Sequence, residues 1–265
     1  MNNVVEVQDT GHIRTIRLNR PEKKNAVNEA LAWSLIGAIQ EAGRDDNVWV
    51  IALTGNGDTF CAGLDLSGSE PASPLGPISQ TMDDVGWVGR FLLTLREEVD
   101  KPIIGGINGA AVGAGLGLAM GCDIRIAAES ARFMAGYTRI GGSPDGGLTF
   151  TLPQIIGYEK AMRFMLENRT VSGKEAVAEG LAGECVPDEQ LADRLQEYCE
   201  LLASWSPFSM RLTKRGMRRG ASYGFDIESQ VIWERTNIRI AFGTDDGKEA
   251  RQAFLEKRKP EFKGR

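Results

Sequence analysis

Apolar runs of strand length and amphipathic runs of helix length alternate along this chain to about residue 187; beyond it only helical runs remain. Such alternation predicts an α/β fold with parallel strands side by side and helices outside them. Residues 13–18, Ile-Arg-Thr-Ile-Arg-Leu, read as a strand closed by Asn19-Arg20-Pro21. Leu31, Leu35, Ala38, Ile39 and Ala42 recur at helical spacing, with Asn28 as the cap. Residues 48–54 form a β-branched strand run ended by Gly55-Asn56-Gly57-Asp58, and residues 59–66 form a loop. Residues 67–77, rich in Ser, Pro and Gly, read as a mobile loop, and loops of this length often form lids or pocket walls. Then follow a helix over 79–97, a strand over 103–107, a turn at Asn108-Gly109, a Gly-rich helical segment over 110–121 and a strand over 122–128. Residues 146–168 are mainly helical, and the capping box Ser172-Gly173-Lys174-Glu175 opens a short helix that stops at Gly180. The last strand covers 181–186, and helices broken near Pro207, Gly220 and Gly243 fill 188–258. The expected organisation is a core over residues 1–200 carrying the site, with a helical oligomerisation region over 201–265.

Composition narrows the functional classes. The chain has 265 residues, 42% of them hydrophobic and 25% charged, enough for one large core. A net charge of −5 argues against a general nucleic-acid binder. Cys61, Cys122, Cys185 and Cys199 have no CxxC spacing, so neither a metal site nor a disulfide framework is expected. Residues 1–10 lack a basic start and a continuous apolar stretch, and no run reaches membrane-spanning length. The expectation is a soluble, cytoplasmic protein with no membrane partner. The single histidine, His12, stands at the start of a strand, where a structural or exposed role is the simpler reading.

Three segments could carry chemistry. In Phe60-Cys61-Ala62-Gly63-Leu64-Asp65-Leu66, Gly63 permits a tight turn that could aim the Leu64 N–H into a cleft, although an ordinary strand-to-helix turn reads the same way. In residues 108–120, four glycines and four alanines open a helix after a strand. The unsatisfied first N–H groups of such a helix attract an anion or a developing oxyanion; close helix packing is the other reading. The spacing Gly113-x-Gly115-x-Gly117 is neither a dinucleotide fingerprint nor a P-loop. In Gly141-Gly142-Ser143-Pro144-Asp145-Gly146-Gly147, Asp145 either caps the next helix or faces a cavity as a proton carrier or nucleophile. The basic segments Lys23-Lys24 and Lys257-Arg258-Lys259 are solvated surface unless they meet in space.

Together with Asn19-Arg20-Pro21-Glu22-Lys23-Lys24-Asn25-Ala26, Cys122-Asp123-Ile124-Arg125-Ile126-Ala127 and residues 253–262, these motifs resemble the enoyl-CoA hydratase/isomerase (crotonase) superfamily along nearly the whole chain. The resemblance implies a spiral of ββα turns with a C-terminal helical region, assembled as a homotrimer or hexamer. It implies an acyl-CoA thioester substrate, with coenzyme A entering as part of that substrate and no separate cofactor. Its carbonyl oxygen would sit between the backbone N–H groups of Leu64 and Ala114. Ala26, Ala62, Asp65 and Gly113 would help to bind the substrate, and Lys24 and Lys257 would meet the CoA phosphates.

The two glutamates by which hydratases of that family handle water would fall at Gly117 and Tyr137, and neither is acidic. Asp145 instead matches the working aspartate of ring-enoyl-CoA isomerases, some Δ3,Δ2-enoyl-CoA isomerases, dihydroxynaphthoyl-CoA synthases and 4-chlorobenzoyl-CoA dehalogenases. The last also need a histidine, which this segment lacks. Tyr137 would wall the acyl pocket or hydrogen-bond the substrate, unless it is simply a buried, satisfied tyrosine. Residues 67–90, including Met82 and Trp87, would shape the pocket. The expected reaction is double-bond isomerisation. Hydrolysis or hydration on the same fold, or CoA-ester binding without turnover, are the alternatives.

Overall fold

Strand β2 (Ile13–Leu18) is buried on both faces, and β3 (Val50–Gly55) and β4 (Ile103–Ile107) share that property. Strands of this kind belong in a parallel sheet covered on each side. The computed structural model, which describes residues 3–68, 73–205, 207–221, 227–243, 245–258 and 260, has that arrangement. Six strands run in the order β1-β2-β3-β4-β6-β9, with β1 (Val5–Thr10), β6 (Ile124–Ala128) and β9 (Glu184–Val186) completing the sheet. Within this sheet β1 and β2 pair antiparallel, in a hairpin that turns at Gly11, and the other neighbours pair parallel. A second sheet, β5-β7-β8, comprises β5 (Ala110–Val112), β7 (Arg132–Met134) and β8 (Val171–Ser172).

The alternating side chains divide the core in two. Ile16, Leu18, Ile51, Leu53, Ile103 and Ile107 face helix α1 (Glu29–Arg44), which buries Leu31, Leu35 and Ile39. Each such side chain contributes about 1.5–3 kcal/mol on burial. Ile13, Val50, Ala52, Ile104 and Ile126 face the other way, onto Leu191, Leu195 and Cys199. The Asn28 side chain accepts from Leu31 N–H and caps α1, as its sequence suggests. His12 is exposed, stacks on Trp49 at 3.6 Å and hydrogen-bonds the Asn47 carbonyl through Nδ1 at 2.8 Å, so its setting is structural.

Several expectations need correction. The helix expected over 79–97 is three pieces: α2 (Pro77–Thr81), α3 (Gly86–Leu93) and a π-helical turn over Thr94–Glu98. Asp83 accounts for the break, accepting from Val85 N–H and Arg90 instead of letting the helix continue. The segment over 110–121 is not helical throughout: β5 comes first, and α4 (Ala114–Gly121) starts only after Gly113. The stretch over 146–168 splits at Gly157 into α5 (Leu148–Ile156) and α6 (Tyr158–Glu167). The capping box opens α7 (Gly173–Glu179) as expected, with Gly180 left-handed at its end.

Helix α8 (Leu191–Ala203) lies on the sheet, and α9 (Pro207–Ala221), α10 (Ile227–Gly243) and α11 (Asp245–Leu255) follow. Lys214 fastens α9 by donating to the carbonyls of Leu95 and Lys101 and pairing with Asp123 at 2.8 Å. Helix α10 packs against α3 and α5. No helix among the described residues is long and apolar enough to cross a membrane.

Candidate functional site

Beyond β3 the chain threads between two other segments. Cys61 N–H donates to Ala110 and Val112 N–H returns a bond to Cys61, at 2.9 and 3.0 Å. On the opposite edge Val27 N–H donates to Gly63 and Asp65 N–H to Val27, at 2.7 and 2.9 Å. A parallel bridge that uses Gly63 C=O and Asp65 N–H turns the Leu64 N–H away from Val27. That N–H donates to no partner among the described residues.

Asn25 fixes the 24–27 edge: fully buried, it donates to the carbonyls of Asn56 and Thr59 and accepts from Arg20 N–H. Asn108 does the same for the two turns, accepting from Gly55 N–H at 3.1 Å and donating to the Gly57 carbonyl at 2.9 Å.

Two glycines are required where these segments meet. Gly63 has φ +94°, and a Cβ there would stand 2.8 Å from the Val112 carbonyl oxygen and 3.8 Å from Ala114 N. The 63–64 peptide therefore passes directly beside the start of α4. Gly113 has φ 54° and ψ −119°, a conformation side chains rarely tolerate. Through it the chain turns from β5 into α4, and Ala114, the first helical residue, has no intrahelical acceptor for its N–H.

Asp145 is 4% exposed, and its Oδ1 accepts a 2.6 Å hydrogen bond from the Tyr137 hydroxyl. The same hydroxyl lies 4.0 Å from where a Cβ of Gly113 would be, so the carboxylate sits close to the start of α4. Helix α5 starts after Gly147, which has no side chain to cap it, two residues beyond Asp145. Its loop presses on α4: a Cβ at Gly117 would be 3.3 Å from the Gly146 carbonyl oxygen. Leu64 and Asp145 both line a cavity of about 260 Å³, which Ala114 and Tyr137 do not line. Trp87 contributes to its wall; Met82, 76% exposed, does not. Residues 69–72 of the expected lid loop lie outside the described residues.

The charged candidates are spread more widely. Asp65 pairs with Arg20 at 2.9 Å and accepts from Ser67. Burial works to raise its carboxyl, yet the bonds from Ser67 and Arg20 hold it below the ordinary carboxylate range. Arg20 also donates to the Ala26 carbonyl, and Ala62 N–H donates to the Lys24 carbonyl at 3.0 Å. Lys24 is exposed and paired with Asp58 at 2.6 Å. Lys257 is exposed beyond α11, and no bond among the described residues joins it to Lys24. Burial pushes the thiols of Cys61, Cys122 and Cys199 up to about 12, which leaves them inert as nucleophiles. No group of His, Cys, Asp and Glu among the described residues could hold a metal.

The cavity also draws on residues the motifs do not indicate: Trp33 from α1, and Val231, Arg235, Ile238, Arg239 and Phe242 from α10. Their spacing of 3 to 4 residues marks one helical face, but amphipathic spacing alone does not tell which surface that face covers.

Similarity to known proteins agrees with this geometry. The family described as enoyl-CoA hydratase/isomerase matches residues 8–265. The 1,2-epoxyphenylacetyl-CoA isomerase of Escherichia coli (strain K12) is 36% identical over 257 residues, spanning 96% of this chain and 95% of that protein. The short-chain-enoyl-CoA hydratase of Clostridium acetobutylicum is 31% identical over 267 residues, spanning 100% and 99%. A solved structure of an enoyl-CoA hydratase/isomerase from Pseudoalteromonas atlantica T6c superposes with a TM-score of 0.86 at 32% identity, covering 98% of this chain and 99% of its own. By its motifs, its crotonase fold and these likenesses, the chain belongs to the enoyl-CoA hydratase/isomerase family and is an acyl-CoA-processing enzyme.

Proposed function

We propose that this enzyme moves a carbon–carbon double bond within an unsaturated acyl-CoA, with Asp145 as the sole proton carrier. The observation that carries the reading is a buried carboxylate, hydrogen-bonded by Tyr137, on the wall of a cavity that Leu64 also lines. In a 3-enoyl-CoA, Asp145 takes a proton from C2, and the electron pair moves through the thioester carbonyl to its oxygen. The Leu64 and Ala114 N–H groups receive that oxygen, each contributing about 3–4 kcal/mol to the dienolate-like transition state. The dienolate then collapses, and C4 takes back the proton held by Asp145. Atoms and charge balance without water, and the one carboxylate serves as base and then as acid.

Ala26, Ala62, Asp65 and Gly113 shape the thioester end of the site. Lys24, released from Asp58, and Lys257 meet the CoA phosphates. No group beyond the coenzyme A of the substrate is needed. Position 117 supports isomerisation over hydration: it carries no glutamate, and a side chain there would press on the Gly146 carbonyl.

Chromatographic separation of the double-bond isomers with mass detection, applied to 3-enoyl-, 2-enoyl- and aromatic acyl-CoA esters after incubation in ¹⁸O-water, tests the reading. The expected product is a 2-enoyl-CoA of unchanged mass. Formation of a hydroxyacyl-CoA, or release of free CoA with labelled acid, in place of migration would overturn it.

A further inference from the structure

We infer that the acyl group handled here ends in a carboxylate, and that Arg235 and Arg239 of α10 select it. The inference rests on reading the Leu64–Asp145 cavity as the acyl site. Both arginines line that cavity. At a separation of four residues they share one helical face with Val231, Ile238 and Phe242, which line it too.

The donors and acceptors of this wall do not match. Each of its carboxylates has a donor: Asp83 takes Arg90 at 2.7 Å, Asp145 takes Tyr137 at 2.6 Å and Glu29 takes Gln80 at 3.4 Å. Arg235 and Arg239 make no hydrogen bond or ion pair with any described residue. Trp33 Nε1, in the same wall, is buried and donates to no described residue. Arginines elsewhere, such as Arg14, Arg20, Arg194 and Arg218, are each paired with carboxylates.

Position 86 accommodates this arrangement. A Cβ at Gly86 would fall 2.6 Å from Arg235 Nε, so the guanidinium lies across a bare stretch of backbone. Beside three carboxylates that already have donors, the wall thus presents the half-buried Arg235, the exposed Arg239 and an indole N–H, donors that an occupant bringing acceptors would satisfy. A carboxylate brings them, and a guanidinium can bind it through two parallel bonds. Trp33, Trp87 and Phe242 supply apolar surface for the chain between that carboxylate and the thioester.

The test compares two 3-enoyl-CoA esters of equal chain length, one ending in a free carboxylate and one in its methyl ester. The wild-type enzyme should favour the carboxylate in kcat/KM by about tenfold or more, since a site built around fixed polar partners discriminates against an analogue that leaves them unpaired. In the double variant Arg235→Gln/Arg239→Gln that preference should fall to near parity, and Arg235→Lys should recover part of it. A wild-type preference for the methyl ester, or parity, would overturn the inference. So would equal losses on both esters in the double variant, because they would put the guanidiniums on CoA itself. Dissociation constants of the two saturated analogues read the same preference without turnover. A preserved binding preference beside a dead migration assay would fault the isomerisation reading and leave the carboxylate pocket standing.

Discussion

At Asp145 the fold takes a carboxylate out of water and sets a phenol against it. Tyr137 is itself only 4% exposed, so the 2.6 Å bond between them replaces hydration that both groups lose. Leaving a buried acceptor short of its donor costs about 1–3 kcal/mol. Tyr137→Phe is therefore expected to lower unfolding stability by that amount in urea titration and to lower kcat, because the carboxylate loses a fixed orientation. Unaltered kcat would show that Asp145 needs no such restraint. The sequence makes Asp145 visible through the glycines and proline around it, and its place on a cavity wall depends on where the loop goes. The pairing with Tyr137 is not legible, because the seven intervening residues form a 3₁₀ turn and an irregular loop with no periodicity. His12 shows the opposite: its position at the start of a strand is enough to read it as structural, and its stacking on Trp49 agrees.

Among the elements, α4 depends on how it begins. Gly113 holds a backbone conformation that costs a side-chain-bearing residue about 1–3 kcal/mol, and the Ala114 N–H is aimed by that turn. Gly113→Ala should lower the thermal midpoint and, by re-aiming Ala114, reduce turnover more than it reduces stability. Equal activity per folded molecule would refute the link between the turn and catalysis. Gly-rich spacing after a strand identified this helix start, although β5 was hidden within it because small apolar residues suit a strand and a helix equally. The expected helix over 79–97 failed for a tertiary reason: Asp83 binds Arg90 and the Val85 N–H and ends the helical register locally. Helix α10 was legible as a helix, but its course over the site was not. Nothing in its own residues records that Arg235 and Arg239 come to lie beside Leu64 and Asp145, some 90 to 170 positions earlier in the chain.

For the molecule as a whole, alternating strands and helices indicate the class because the central strands β2, β3 and β4 are buried on both faces and must be covered twice. The antiparallel β1 is not legible in the sequence because its residues are largely exposed, which leaves little hydrophobic pattern. Acid stability follows from carboxylates tied to cations across elements. Hydrogen bonding from Arg215 holds Asp100 below its ordinary 3.8, against the effect of burial. Ser67 and Arg20 do the same for Asp65, again against burial. A carboxyl depressed in the folded state stabilises above its unfolded value and loses that contribution as pH falls through the folded value. The melting temperature should therefore hold steady from about pH 7 to 5 and drop below about pH 4. A decline that begins near pH 6 would point to a different group. The most direct measurement of the proposed chemistry is kcat of Asp145→Asn on a 3-enoyl-CoA, with the dissociation constant of a saturated acyl-CoA determined in parallel. If Asp145 carries the proton, its replacement should lower kcat by about 10³-fold or more, while binding stays within about threefold. Turnover within about threefold of the wild type would contradict a proton-carrying role for Asp145.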